Sequence, residues 1–220
     1  MTLVVDPASY WAPYFTSFGR LDPYLQSIET TMPDPVACII GASDGKFVVP
    51  LLRRGWQVIA IELDETFISG GAVELRTGEQ RIQGLIPRLQ ELGLTHRCEI
   101  VRCDYMEWEP LTPVQLAVTS GLWSMPVNRA HGLAALVRRQ QDYVAPDGLL
   151  FADYLLATNE GEADTGVCPE PEELEGLFPA SWEVHVNEEV GTHGESHFGW
   201  EDWHEHRYGA VVAQRLKCLP

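Results

Sequence analysis

The segment Val36 to Asp64, VACIIGASDGKFVVPLLRRGWQVIAIELD, limits the possible folds of this chain more than any other stretch. Val36 to Ile40 is an apolar run without alternation, the pattern of a parallel strand buried on both faces. Gly41-Ala42-Ser43-Asp44-Gly45 follows, a turn whose glycines let the backbone bend sharply and approach a ligand where a Cβ would intrude. Phe47 to Leu52 reads as a helix, with Arg53 and Arg54 near its C-terminus, Gly55 as its stop and Pro50 as an interruption. Val58 to Ile61 is a second buried strand, and Glu62 ends it 21 positions after Gly41, where a carboxylate can accept both hydroxyls of a ribose. Strand, glycine turn, helix, strand and acid within 29 residues is the layout of a nucleotide-binding β-α-β unit.

Three cofactor patterns compete for this unit. The dinucleotide fingerprint G-x-G-x-x-G would need glycines where the chain has Gly41, Ser43 and Lys46. The phosphate-cradling G-x-x-x-x-G-K-[ST] is one residue longer than Gly41 to Gly45, and Phe47 stands where a magnesium-binding hydroxyl is required. The pattern G-x-G-x-G with an acid at the end of the next strand fits with one substitution, at Ser43.

That last pattern resembles the class I methyltransferases, which bind S-adenosylmethionine, and the resemblance continues downstream. Glu99 to Tyr105 is similar to the family's third strand, ending in the Asp104-Tyr105 pair that would contact adenine. Gln115 to Thr119 resembles the fourth strand, Val144 to Ala152 the "L-x-P-G-G" turn and fifth strand, and Pro169 to Phe178 a helix of the tellurite-resistance and thiopurine-type small-molecule enzymes. Trp182 to Val186 and Tyr208 to Leu216 read as closing antiparallel strands. The resemblance implies an α/β, Rossmann-like, doubly wound and mostly parallel seven-stranded sheet with an antiparallel last strand, helices on both faces and a helical N-terminal lid. It places the cofactor against Gly41, Ala42, Ser43, Gly45, Glu62, Leu63, Asp104, Tyr105 and Ser120. Two departures bear on the methionine end. Ile39 stands where many members carry an acid for the ammonium, and Ser43 replaces the middle glycine.

Length and composition fit one domain over residues 1–220, with the lid at 1–34 and the cofactor-binding core at 35–217. No apolar stretch approaches a membrane span and no signal-peptide profile opens the chain, so a cytoplasmic protein is expected. Cysteines at 38, 98, 103, 168 and 218 are odd in number, and Cys38 lies within a core strand, which argues against a disulfide framework. From Gln140 to His206 there are 17 acids and no Lys or Arg, so this window carries the whole net charge of −17. Such a surface repels phosphate backbones, pointing to a small-molecule substrate rather than nucleic acid.

The same window contains His185, His193, His197, His204 and His206. His204-x-His206 near Glu201, Asp202 and Glu205 has donors that suit a divalent ion, but the expectation is a hairpin with a polar tip and no metal. At the other end, Tyr10, Trp11, Tyr14, Phe15 and Phe18 recur at helix-like spacings after Asp6-Pro7, and similar methyltransferases lay such a helix over the cofactor as a lid. Glu65 to Glu79 reads as loop or an irregular helix start, and Gln80 to Leu92 as a helix with Ile82, Leu85, Ile86, Leu89 and Leu92 on one face and Pro87 as a kink or a restart.

In open α/β sheets the ligands bind outside the carboxyl ends of the strands. Catalytic candidates are therefore Ser120 and Asn128 after the fourth strand and Asp153 and Tyr154 after the fifth, with Trp123, Tyr10, Trp11 and Tyr14 as substrate or lid residues. The expected activity is S-adenosylmethionine-dependent methylation of a small molecule. Two alternatives are transfer or cyclisation of the aminocarboxypropyl arm with release of methylthioadenosine, and cofactor binding without catalysis.

Overall fold

The computed structural model describes residues 3–197 and 200–217. These form the strands β1 (Val36–Ile40), β2 (Gln57–Ile61), β3 (Gly71–Leu75), β4 (Gly78–Ile82), β5 (Cys98–Val101), β6 (Val114–Ser120), β7 (Val144–Leu156), β8 (Trp182–His197) and β9 (Trp200–Arg215). Seven of them make one sheet in the order β5-β2-β1-β6-β7-β9-β8, while β3 and β4 pair as a separate hairpin. The contacts from β5 through β7 are parallel, and β9 runs antiparallel to both of its neighbours. The expected doubly wound sheet is present. Its chain leaves β1 towards β2 and β5, then returns to the other side of β1 at β6, and this reversal opens a crevice at the carboxyl ends of β1 and β6.

The helices are α1 (Asp22–Thr31), α2 (Val48–Arg53), α3 (Glu65–Ser69), α4 (Leu85–Glu91), α5 (Pro126–Arg129), α6 (Leu133–Tyr143), α7 (Glu160–Ala163) and α8 (Pro171–Glu175). Alternate strand residues enter opposite cores, which explains why the parallel strands are apolar throughout. Ala37 and Ile39 pack with Leu25 of α1, Leu51 and Leu52 of α2 and Leu85 and Leu89 of α4. Cys38 and Ile40 pack on the other face with Leu136 and Val137 of α6 and Leu174 of α8. Pro50 and Pro87 each occupy the third position of their helix, α2 and α4. First-turn N–H groups have no intrahelical partner, so neither proline removes a hydrogen bond.

Two stretches differ from the sequence expectation. The chain does start a short helix at Glu65, α3, but the β3–β4 hairpin follows it, and helix resumes only at Leu85. Ile82 therefore belongs to a strand, packing with Phe67 and Val73 in a small cluster of its own. The hairpin closes where Gly70 and Gly84 meet; a Cβ on Gly84 would lie 2.1 Å from the Gly70 nitrogen.

The N-terminal aromatic segment is not a helix. Residues 7–14 form successive turns, followed by a 3-10 turn at Phe18–Leu21 and then α1. Local N–H groups are diverted to side chains: Tyr10 donates to Asp44 Oδ2 at 2.6 Å and Trp11 to Ser9 Oγ at 3.2 Å. The Asp6 N–H bonds the Lys46 carbonyl at 3.0 Å, tying the segment to the glycine turn. Cys38, Cys98, Cys103 and Cys168 are free thiols, and Cys218 lies outside the described residues. No helix among the described residues is long and apolar enough to cross a membrane.

Candidate functional site

A cleft of about 580 Å³ opens at the carboxyl ends of β1, β2, β5 and β6, within the size range of small-molecule sites. Gly41, Ala42 and Ser43 line it after β1, and Glu62 and Leu63 after β2. Asp104 and Tyr105 enter after β5, and Ser120 after β6. Eight of the nine residues expected at the cofactor thus line the same cleft. Gly45 does not line the cleft; its φ of 103° is a backbone conformation that side chains rarely adopt, and a Cβ there would also lie 3.0 Å from the Leu85 side chain.

The turn is held from below by Glu62. Its Oε2 accepts the Ser43 N–H at 2.7 Å, and its Oε1 accepts from Leu63 at 2.8 Å and Asp64 at 3.0 Å. Gly41 and Ala42 both donate to the Ile61 carbonyl at 3.0 Å. Ser43 itself sits at φ 51°, in the left-handed region that glycine adopts without cost. Its hydroxyl oxygen is buried and has no hydrogen-bond partner among the described residues. Asp104 Oδ1 accepts the Met106 N–H at 2.8 Å, which orients its carboxylate at the end of β5.

The catalytic candidates separate. Ser120 and Asn128 face the cleft, with Asn128 Nδ2 donating to the Leu122 carbonyl at 2.7 Å. Asp153 and Tyr154 do not line it. Asp153 is 1% exposed and its carboxylate accepts the Ser17 N–H at 3.0 Å and the hydroxyls of Thr16, Ser17 and Ser120. Burial pushes its pKa up while the Ser17 and Thr16 hydrogen bonds pull the other way. It anchors the N-terminal segment to the sheet. Tyr154 packs into the opposite core, its ring 5.7 Å from that of Trp123 and its hydroxyl donating to Asn187 Oδ1 at 2.9 Å. Trp123, 2% exposed, is likewise a core residue rather than a substrate contact.

Of the aromatic trio, Trp11 and Tyr14 line the cleft, whereas Tyr10 packs on the β3–β4 hairpin beside Phe67. Several cleft residues were not anticipated. Lys46 is 5% exposed, with Nζ donating to the carbonyls of Tyr14 at 3.0 Å and Phe15 at 3.4 Å. Burial lowers its pKa to about 8, against the opposing attraction of Asp153, Glu195 and Asp44. Glu195, His197, His206 and Tyr208 reach the cleft from the β8–β9 ribbon. Their signal was in the sequence as Glu-x-His and His-x-His, alternation that puts side chains on one face of a strand.

In sequence, the chain matches no protein-family profile and no curated protein. In structure it is similar to many solved proteins. It superposes on TehB from Haemophilus influenzae with a TM-score of 0.61 at 12% identity, over 94% of this chain and 66% of that one. The 1,6-didemethyltoxoflavin-N1-methyltransferase of Burkholderia thailandensis, solved with S-adenosylhomocysteine, aligns over 90% of this chain and 78% of its own, with a TM-score of 0.55 and 17% identity. This chain has the class I methyltransferase fold. The [4+2]-cyclase SpnF is similar as well, with a TM-score of 0.59 and 14% identity over 92% of this chain and 85% of its own. On this fold the cleft described here lies at the topological switch point, where α/β sheets bind their ligands.

Proposed function

We propose that the protein is an S-adenosylmethionine-dependent methyltransferase acting on a small molecule. The observation that carries the reading is the convergence of Ser43, Glu62, Asp104 and Ser120 on one cleft at the switch point. The donor set suits the cofactor. The buried Ser43 hydroxyl has hydrogen-bonding capacity to spare, and Glu62 and Asp104 offer carboxylate oxygens at two strand ends for hydroxyl and amino groups. Bound S-adenosylmethionine would supply an electrophilic sulfonium methyl. The chain's part is to orient an acceptor beside it, with Trp11, Tyr14 and Phe15 closing the apolar side and Ser120 and Asn128 offering polar contacts. A concave site of this size, in a chain whose last third is strongly acidic, favours a small acceptor over a nucleic acid.

One observation supports the second reading, use of the aminocarboxypropyl arm. Ile39 is fully buried in the core beneath α2, so β1 offers no carboxylate for the methionine ammonium. Mass spectrometry of the full chain with S-adenosylmethionine, alone and with acceptor panels, separates the possibilities. Methyl transfer gives S-adenosylhomocysteine only when an acceptor is present. Acceptor-independent methylthioadenosine above spontaneous decay would replace the first reading with the second. Tight S-adenosylhomocysteine binding with neither product across the panels would favour a cofactor-binding protein.

A further inference from the structure

Pairing between β8 and β9 outlasts the sheet. The β7–β9 ladder ends at Leu156 opposite Arg207, whereas β8 and β9 continue to His197 opposite Trp200. The projecting ribbon places Glu195 directly across from His204. Residues two apart on a strand share a face, so Glu195 with His197 and His204 with His206 present their side chains together.

Their donor atoms converge. Glu195 Oε1 is 3.5 Å from His197 Nε2 and 3.6 Å from His206 Nε2, and the Nε2 atoms of His204 and His206 are 3.0 Å apart. All four residues offer a ligand atom within 4.8 Å of every other. Four ligands held tetrahedrally at metal–ligand distances near 2.0–2.1 Å lie about 3.3–3.4 Å from one another. These three separations fall on either side of that value, and the others lie within 4.8 Å.

The surrounding contacts are those that prepare ligands. His204 Nδ1 lies 2.7 Å from the Asp202 carbonyl oxygen, which can only accept, so Nδ1 holds the proton and Nε2 presents its lone pair to the cluster. The Tyr208 hydroxyl donates to Glu195 Oε1 at 3.0 Å, fixing the carboxylate. Tyr14 donates to the Ser196 carbonyl at 3.3 Å, and its ring and that of Trp11 lie 5.7 Å and 5.5 Å from the His197 ring. Only 10% of the Glu195 side chain, 14% of His197 and 9% of His206 is exposed.

We propose that Glu195, His197, His204 and His206 bind one divalent transition-metal ion through three imidazole nitrogens and a carboxylate oxygen. A nitrogen-rich set selects zinc and its neighbours over magnesium or calcium, which take oxygen ligands. Glu195, His197 and His206 belong to the cleft wall, so the ion faces the space in which the acceptor would lie. The cofactor assignment is not needed for this site, and its test uses no substrate.

Tag-free full-length protein is stripped with chelator, titrated with zinc chloride, desalted and assayed for bound metal. One equivalent per chain is expected, and cobalt(II) in its place should give the intense visible absorption of a four-coordinate ion. His197→Ala and His206→Ala should each weaken zinc binding by more than the roughly 10- to 100-fold that loss of an outer-shell partner costs. His131→Ala, at an exposed histidine outside the cluster, should bind as the parent does. Circular dichroism checks folding, and His204→Asn supplies a milder variant that removes the Nε2 donor. No retained zinc in the folded parent would overturn the site, as would an octahedral cobalt spectrum or binding unchanged in the folded His197, His204 and His206 variants.

Discussion

Glu62 does two jobs with one carboxylate, and they are separable by experiment. It accepts three backbone N–H groups, from Ser43, Leu63 and Asp64, while lining the cleft. Glu62→Ala should therefore cost about 1–3 kcal/mol of stability, from N–H groups left without their acceptor, and weaken S-adenosylhomocysteine binding by about 1.5–3 kcal/mol. Urea unfolding reads the first and calorimetry the second; a folded variant of unchanged affinity would remove Glu62 from the site. Lys46 offers a pH-dependent counterpart. Burial brings its pKa down from 10.5 to about 8, so between those values the unfolded chain holds a proton that the folded chain has released. Stability contributed by this residue then rises with pH across that window, by at most about 3 kcal/mol. Comparing urea midpoints at intervals through the window, Lys46→Met should lack the rise seen in the parent. An identical slope in both proteins would mean that Lys46 keeps an ordinary pKa.

At the scale of elements, the N-terminal segment is held by a buried charge cluster rather than by helix. Arg88, 2% exposed, donates to the Asp44 carbonyl at 2.7 Å and to its carboxylate at 3.1 Å, and pairs with Asp6 on its other side. Arg88→Met strips the Asp44 carboxylate of its buried ion-pair partner and leaves Asp6 only the 3.9 Å contact with the half-exposed Arg53, and should cost about 3–5 kcal/mol in urea unfolding. Arg88→Met combined with Asp6→Asn should recover part of that loss, because fewer charges are stranded; no recovery would show that the two side chains do not act together. This cluster also explains what the sequence could and could not reveal. The sheet strands β1 and β2 were legible because burial on both faces writes itself as unbroken apolar runs, and β6 and β7 through their resemblance to the fourth and fifth strands of class I methyltransferases. Glu62 and the glycine turn were legible because strand, turn and acid lie close together in sequence. Asp6, Asp44 and Arg88 come from three distant segments, and helical spacing of Tyr10, Trp11 and Tyr14 says nothing about N–H groups diverted to Asp44 and Ser9. Ile82 misled for a related reason: a strand residue facing Phe67 and Val73 happens to fall in phase with the leucines of α4.

Across the whole molecule, three additions to the sheet meet around the cleft: the N-terminal segment, the β3–β4 hairpin and the β8–β9 ribbon. Trp11 lies 6.0 Å from the Phe67 ring beneath the hairpin and 5.5 Å from His197 on the ribbon. Arg76, in the hairpin turn, pairs with Asp202 and donates its backbone N–H to Glu201. Both members of the Arg76–Asp202 pair are largely exposed, so the bridge adds little stability and the junction is open to local fluctuation. By contrast, β1 and β6 are central strands packed on both faces and already protected by the sheet. A ligand in the cleft would touch Gly41 to Ser43 and Glu62 beneath it, and Trp11, Tyr14 and His197 from the additions. Ligand-linked stabilisation falls on whichever openings break the site, and here those are the openings that separate the three additions. Amide hydrogen exchange on the full chain with and without S-adenosylhomocysteine should therefore show its largest gain in protection in residues 8–17, 71–82 and 189–197, with little change in β1 and β6. Protection confined to the glycine turn and the end of β2 would show that the additions do not close over the cofactor, and would leave the aromatic segment a packing element alone.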